Sequence, residues 1–238
     1  MANVPPAKIS KCETVFLDAG GVLIWPNWAR IANVLQAHGI AAEADRLAAA
    51  DPFVRKSLDV AELLAAPIDG PGRWRYFDLI LARLGVSLSE KTAAAKSVLL
   101  EYHRTDNLWE YVPEFVRPAL LELRTLGMRL VVVSNANGTL AKSFDRLGLS
   151  SMVDVLVDSA EAGVEKPNPR LFDIALQRSG ADRATTIHAG DFYHIDVLGA
   201  RAAGLVGVLV DQANLYEKSD CLRIRSLAEL PLLIRDGR

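Results

Sequence analysis

Five polar residues gather at or just beyond the ends of apolar runs, and their types suit chemistry on an anionic oxygen. Asp18 closes the run Val15-Phe16-Leu17 and is followed by Ala19-Gly20-Gly21. Ser134 and Asn135 close a second run, and Asp191 follows Gly190 after a third. Lys166 lies in Glu165-Lys166-Pro167-Asn168-Pro169, on the segment beyond a fourth. A charge at the end of an apolar strand is costly unless it is paired or works chemically. Two carboxylates, an ammonium and a hydroxyl on one rim suit a reaction assisted by magnesium. Mg2+ takes oxygen ligands, commonly one or two carboxylates together with water and phosphate. The lysine would offset charge in the transition state, and the hydroxyl and backbone N–H groups would hold phosphoryl oxygens. Singly, each residue has a plainer reading: Asp18 or Asp191 as a cap, Ser134-Asn135 as a turn, Lys166 as a surface lysine. Their shared context outweighs those readings.

Such residues meet only if a sheet brings them together. Short β-branched runs at Thr14–Asp18, Arg129–Ser134, Val153–Asp158, Thr185–Ala189 and Gly207–Val210 alternate with amphipathic stretches. That rhythm predicts an α/β fold, a Rossmann-like parallel sheet flanked by helices. Right-handed crossovers then place the strand carboxyl ends, and so the five residues, on one edge, where ligands bind. Pro113–Leu126 has helical spacing and stops at Gly127, and Asn168-Pro169 supplies an N-cap and a first-turn proline for a helix to about Arg178. Asp191 to Ala203 reads as loop then helix, and Ser226–Ile234 as a short final helix. His188, inside a strand, reads as a core histidine, and His194 lies on the loop after Asp191.

The interval between the first two strands breaks the rhythm. No strand is legible from about Trp25 to Tyr111; helices read at Trp28–Ala37, Ala41–Ala50, Val60–Ala65, Arg73–Leu84 and Glu90–Arg104, with Ser87 and Glu90 as a capping box. A crossover needs one helix, so an insert of more than eighty residues is a separate all-helical subdomain. The expected division is a core of residues 10–24 and 112–238 and an insert of residues 25–111. Arg73-Trp74-Arg75 in that insert reads as a solvated basic face ahead of an anion-recognition site.

Four motifs in this order resemble the haloacid dehalogenase superfamily of hydrolases: Phe16-Leu17-Asp18-Ala19-Gly20-Gly21-Val22-Leu23, Val133-Ser134-Asn135, Glu165-Lys166-Pro167-Asn168-Pro169, and Gly190-Asp191 with Asp196. Each motif alone is weak; their order and strand context are specific. The resemblance implies that Asp18 is a nucleophile forming a covalent aspartyl intermediate, and that Asp18, the carbonyl of Gly20 and Asp191 hold Mg2+. Ser134, Asn135 and Gly21 would bind the transferring group. Lys166 would hold the charges together, with Asp196 orienting it or a metal-bound water. The helical insert falls where the family places a C1-type cap, which would close over the site and choose the substrate. The implied function is a Mg2+-dependent phosphatase acting on a small phosphorylated metabolite.

One position departs from that pattern. The family's phosphatases carry a second aspartate two residues after the nucleophile, as proton donor and later as base; here it is Gly20. Such general acid–base help is worth roughly 10²- to 10⁴-fold. A good leaving group, a proton from a cap residue or water, or a reaction that needs no acid would each accommodate the loss. The alternatives are therefore a 2-haloacid dehalogenase-like or phosphonatase-like hydrolase, or a catalytically weakened binding protein. Asp191 favours the phosphatase, because displacement at carbon needs no metal.

Composition bounds the setting. A net charge of −2 argues against a nucleic-acid or membrane-surface role. No apolar run approaches the ~18 residues of a membrane helix. Met1 to Lys8 reads as a loose tail rather than a signal peptide. Two cysteines, Cys12 and Cys221, fit a reduced, cytoplasmic protein. Oligomeric state is not legible.

Overall fold

The computed structural model describes residue 9 and residues 11–59, 71–217 and 219–237, with the side chains of residues 71–74 excepted. The expected tail at residues 1–8 and the helix expected at Val60–Ala65 lie outside the described residues, as do the side chains of Arg73 and Trp74. The chain forms two compact units, one of residues 1–25 and 112–238 and the other of residues 26–111.

The first unit holds a six-stranded sheet whose strands all run parallel. In chain order its strands are β1 (Thr14–Leu17), β4 (Arg129–Ser134), β5 (Val155–Asp158), β6 (Thr186–Gly190), β7 (Val206–Val210) and β8 (Leu222–Ile224). They lie in the order β5-β4-β1-β6-β7-β8. The first five agree with the sequence reading to within two residues. Strand β8 was not legible, because three residues at a sheet edge carry almost no periodicity.

Successive side chains on a strand face opposite ways. Phe16, Val131, Val133 and Val157 thus share one face, where they pack with Leu171, Phe172, Ala175 and Leu176 of the helix Pro169–Ser179. Asn168 caps that helix as expected, accepting from Arg170 N at 3.0 Å, and Gly180 ends it in a left-handed conformation.

The second unit is helical, with α1 (Trp28–Ala37), α2 (Ala44–Leu58), α3 (Pro71–Arg83) and α4 (Glu90–Thr105). Trp28, Ile31, Leu35, Leu47, Val54, Phe77, Ile80 and Leu99 form its core at helical spacing. Two corrections apply here. Helix α2 starts later than the Ala41–Ala50 reading and runs through Pro52 to Leu58. Buried Val54 and the Asp51–Arg55 ion pair at 2.7 Å hold the turn that proline weakens. The capping box of α4 is Ser89 with Thr92, not Ser87 with Glu90, since Thr92 N and Ser89 N each bond the other's hydroxyl. The two chain crossings, Trp25–Pro26 (β2) and Trp109–Tyr111 (β3), also pair as a short two-stranded sheet. Partners of two and three residues, so far apart in sequence, leave no local signal.

Candidate active site

Strand β1 lies between β4 and β6, with Leu17 level with Val132 on one side and Ala189 on the other. Asp18, Ser134 and Asp191 therefore leave three adjacent strands at one edge. The chain leaves β1 toward β4 and β5 on one side and later builds β6 to β8 on the other, which is the strand-order reversal where α/β proteins bind ligands.

The turn after Asp18 closes on itself. Leu23 N and Ile24 N both donate to Ala19 O at 2.9 Å. Gly21, at φ +76°, donates its N–H to Ile24 O at 2.9 Å, while its carbonyl accepts from Gln212 Nε2 at 3.2 Å. The Gly21 N–H is thus engaged inside the turn.

Lys166, on the segment after β5, is joined to Pro167 by a cis peptide bond. Its Nζ donates to Asp18 Oδ1 at 2.8 Å and to Asp196 Oδ1 at 2.6 Å. The lysine and Asp196 side chains are each 1 % exposed, and that of Asp18 13 %. Asn135 holds the backbone of Lys166 from both sides: its Nδ2 donates to Lys166 O at 2.9 Å, and its Oδ1 accepts from Lys166 N at 2.7 Å. The Asn135 side chain thus positions the lysine backbone, a role that sequence reasoning, which expected backbone donors from Asn135, did not assign. Ser134 is buried at its strand end and Asp191 is buried after Gly190.

Asp196 stands in a π-helical turn, Tyr193–Val197, and its Oδ2 accepts from Phe192 N at 3.0 Å. Such turns recur at functional sites. Its Oδ1 also takes His188 Nε2 at 2.9 Å. The carboxylate lies so close to β6 that a Cβ on Gly190 would sit 2.1 Å from Asp196 Cγ. Gly190→Ala is accordingly expected to destabilise the protein by at least about 2 kcal/mol, because the carboxylate cannot retreat without breaking its bonds to Lys166 and His188. A urea unfolding curve measures this; a midpoint within error of the parent would refute the crowding.

Burial and charge oppose each other in this cluster. Burial alone would push Lys166 down, but Asp18 and Asp196 outweigh it and hold the ammonium above the usual lysine range. Burial would raise Asp196, yet Lys166 and the His188 hydrogen bond keep it well below the usual carboxylate range. For His188 burial prevails, and with the Lys166 charge it pushes the imidazole down despite Asp196.

Two further residues shape the loop after Ser134. The buried Asp158 carboxylate accepts from Gly138 N at 2.9 Å and Ala160 N at 2.9 Å, and Ser159 Oγ accepts from Ala136 N at 3.1 Å. Sequence reasoning missed them, along with the role of Gln212. The available signal was Asp158-Ser159 closing a strand beside the one that ends in Ser134. His194, on the loop after Asp191, is half-buried.

Asp18, Asp191 and Asp196 each place a carboxylate oxygen within 4.8 Å of the others'. Three carboxylates against one ammonium make a negative, all-oxygen cluster that fits a hard divalent cation. Both oxygens of Asp196 already accept hydrogen bonds, so Asp18 and Asp191 are the better donors to a metal.

The family model for haloacid dehalogenase-like hydrolases matches residues 12–204. The chain belongs to that family. A glyceraldehyde 3-phosphate phosphatase from Methanopyrus kandleri is 35 % identical over 146 residues, covering 59 % of this chain and 60 % of that protein. Haloacid dehalogenase-like hydrolase domain-containing protein 3 from Bos taurus is 31 % identical over 188 residues, covering 75 % of this chain and 72 % of that protein. The chain thus spans less than two thirds of the archaeal phosphatase it matches. Among solved structures, the HAD-hydrolase YfnB from Bacillus subtilis superposes with a TM-score of 0.66 at 16 % identity, covering 94 % of this chain and 99 % of that one. The family fold is therefore that of this chain, as its sequence implied. No helix among the described residues is long and apolar enough to cross a membrane.

Proposed function

We propose that this haloacid dehalogenase-like hydrolase is a Mg2+-dependent phosphatase of a small phosphorylated metabolite, working through an aspartyl phosphate on Asp18. The observation that carries the reading is the Lys166 ammonium bonded to both Asp18 and Asp196, with Asp191 in the same cluster. A nucleophilic carboxylate must meet a phosphoryl dianion, and that repulsion needs fixed positive charge beside it. The phosphatase name of the archaeal relative supports the same reaction.

In this reading an oxygen of Asp18 attacks phosphorus, and the P–O bond to the organic part breaks, its electron pair leaving on that oxygen. Lys166 faces the negative charge that builds during transfer. Ser134 and backbone N–H groups hold the phosphoryl oxygens. Gly20 has no side chain to protonate the leaving oxygen; in this reading a water protonates it, and the hydroxide left behind takes up the proton that the attacking water later releases. Water then attacks phosphorus, the bond to Asp18 breaks, and inorganic phosphate departs with the carboxylate restored. A divalent cation on Asp18, the Gly20 carbonyl and Asp191 would neutralise phosphoryl charge. We assign residues 10–24 and 112–238 as the catalytic core and residues 25–111 as a cap that selects the substrate. The free cysteines Cys12 and Cys221 support a cytoplasmic setting.

Phosphate release from p-nitrophenyl phosphate is expected to need Mg2+, to fall at least about 10-fold on chelation and to return when Mg2+ is added back. Aryl and acyl phosphates are expected to outpace alkyl phosphates, because their leaving groups need no acid. Halide release from 2-chloropropionate, indifferent to chelator and without phosphatase activity, would replace this reading with a dehalogenase.

A further inference from the structure

Lys166 is a flexible four-carbon chain carrying a compact charge, so something must fix where its ammonium stands. Asp196 does so only if its own carboxylate is fixed, and the terminal torsion of an aspartate is soft. Three donors meet that carboxylate: Lys166 Nζ and His188 Nε2 on Oδ1, and Phe192 N on Oδ2. Of these the lysine is the group being positioned. The histidine is the other side chain, and it comes from the rigid middle of the sheet. His188 is fully buried, level with Phe16 of β1 and Gly207 of β7, and its ring stands edge-on to Phe172 at 5.0 Å and 77°.

We propose that His188 is a positioning residue: its Nε2–H clamps Asp196 and, through Asp196, fixes the Lys166 ammonium against Asp18. The ring's protonation follows from its contacts. Nδ1 is buried and has no hydrogen-bond partner among the described residues. A buried N–H without an acceptor bears the full cost of its lost hydration. The proton therefore sits on Nε2, where Asp196 accepts it, and Nδ1 keeps its lone pair. An imidazolium would bury an unpaired Nδ1–H as well as a charge. His188 is thus a neutral donor to Asp196, not an acid or base in the reaction.

The effect on turnover rests on the phosphatase reading; the effect on Lys166 does not, so both are measured. On the full-length chain, long-range 1H–15N correlations of the imidazoles are expected to show one histidine, absent in His188→Gln, as the neutral Nε2–H tautomer at pH 7. An Nδ1–H tautomer or an imidazolium there overturns the proposal. The buried Lys166 ammonium resonance is expected to move or broaden in His188→Leu and to return toward its place in His188→Gln, which keeps an N–H near Nε2. An unmoved resonance in His188→Leu overturns it. With p-nitrophenyl phosphate, His188→Leu is expected to lower kcat about 10- to 100-fold, with KM changed less than about 3-fold, and His188→Gln to recover most of the loss. Equal kcat in the two variants would mean that the ring only fills space. A parent enzyme without phosphatase activity would reject the proposed reaction, and the two NMR readouts would still decide the role of His188. Should His188→Leu fail to fold, the parent tautomer and His188→Gln carry the test.

Discussion

Asp18→Asn is expected to reduce phosphate release by at least about 10⁴-fold while leaving the fold intact. The two parts of this expectation have separate causes. An amide oxygen is too poor a nucleophile to form the covalent intermediate, and without that step the two-stage reaction has no first stage. The fold survives because the asparagine oxygen can still accept from Lys166 Nζ, which stands 2.8 Å from Asp18 Oδ1. Lys166 also keeps Asp196 as its buried counter-charge. Removing one of three clustered carboxylates relieves repulsion, so stability is expected to fall by no more than about 1 kcal/mol and is free to rise. Steady-state phosphate release and a urea curve on the same preparation test both halves. Activity within 10-fold of the parent would remove Asp18 as the nucleophile.

The second large effect falls on stability. Lys166→Met leaves Asp196 charged, almost wholly buried and held only by His188 and Phe192 N. Breaking a buried pair by removing one partner costs about 3–5 kcal/mol, whereas removing both partners costs much less. Lys166→Met is therefore expected to be destabilised by about that amount, and the double variant Lys166→Met/Asp196→Asn to recover part of it, with a coupling energy of about 1–3 kcal/mol. Additive single effects would show that the pair is not coupled.

The pH dependence of that loss follows from the directions of the shifts. In the parent, Asp196 is held below its unfolded value of about 3.9, so its stabilisation is present above that pH and is lost as pH falls through the folded value. Lys166 is held above its unfolded value of about 10.4, so its share is present below that pH and is lost as pH rises through the folded value. In Lys166→Met the burial of Asp196 is no longer offset by the ammonium, and its pKa rises. The variant is then expected to lie furthest below the parent near neutrality and to approach it as acid protonates Asp196. Unfolding curves from pH 4 to pH 8 would show the gap narrow on the acid side; a constant gap would rule out the buried-charge explanation.

Much of this arrangement was legible in one sequence. Val15-Phe16-Leu17 before Asp18, and the β-branched run before Ser134, are apolar runs that end in a polar group, and parallel strands put such ends on one edge. Asn168-Pro169 announced its helix for the equally local reason that a cap and a fixed φ act within four residues. The chain alone thus determined an α/β core, a helical insert, and a rim carrying Asp18, Ser134, Lys166 and Asp191. The tertiary structure decided which groups touch. Asn135 holds the Lys166 backbone across 31 residues, and His188 holds Asp196 from inside the sheet. Gly21 turns its N–H inward to Ile24. These contacts depend on strand register, on the π-turn at Tyr193–Val197 and on the close approach that Gly190 permits. None of those leaves a local pattern in composition or spacing, because a hydrogen bond is set by the last ångström of three-dimensional placement, whereas periodicity records only which face of an element is apolar.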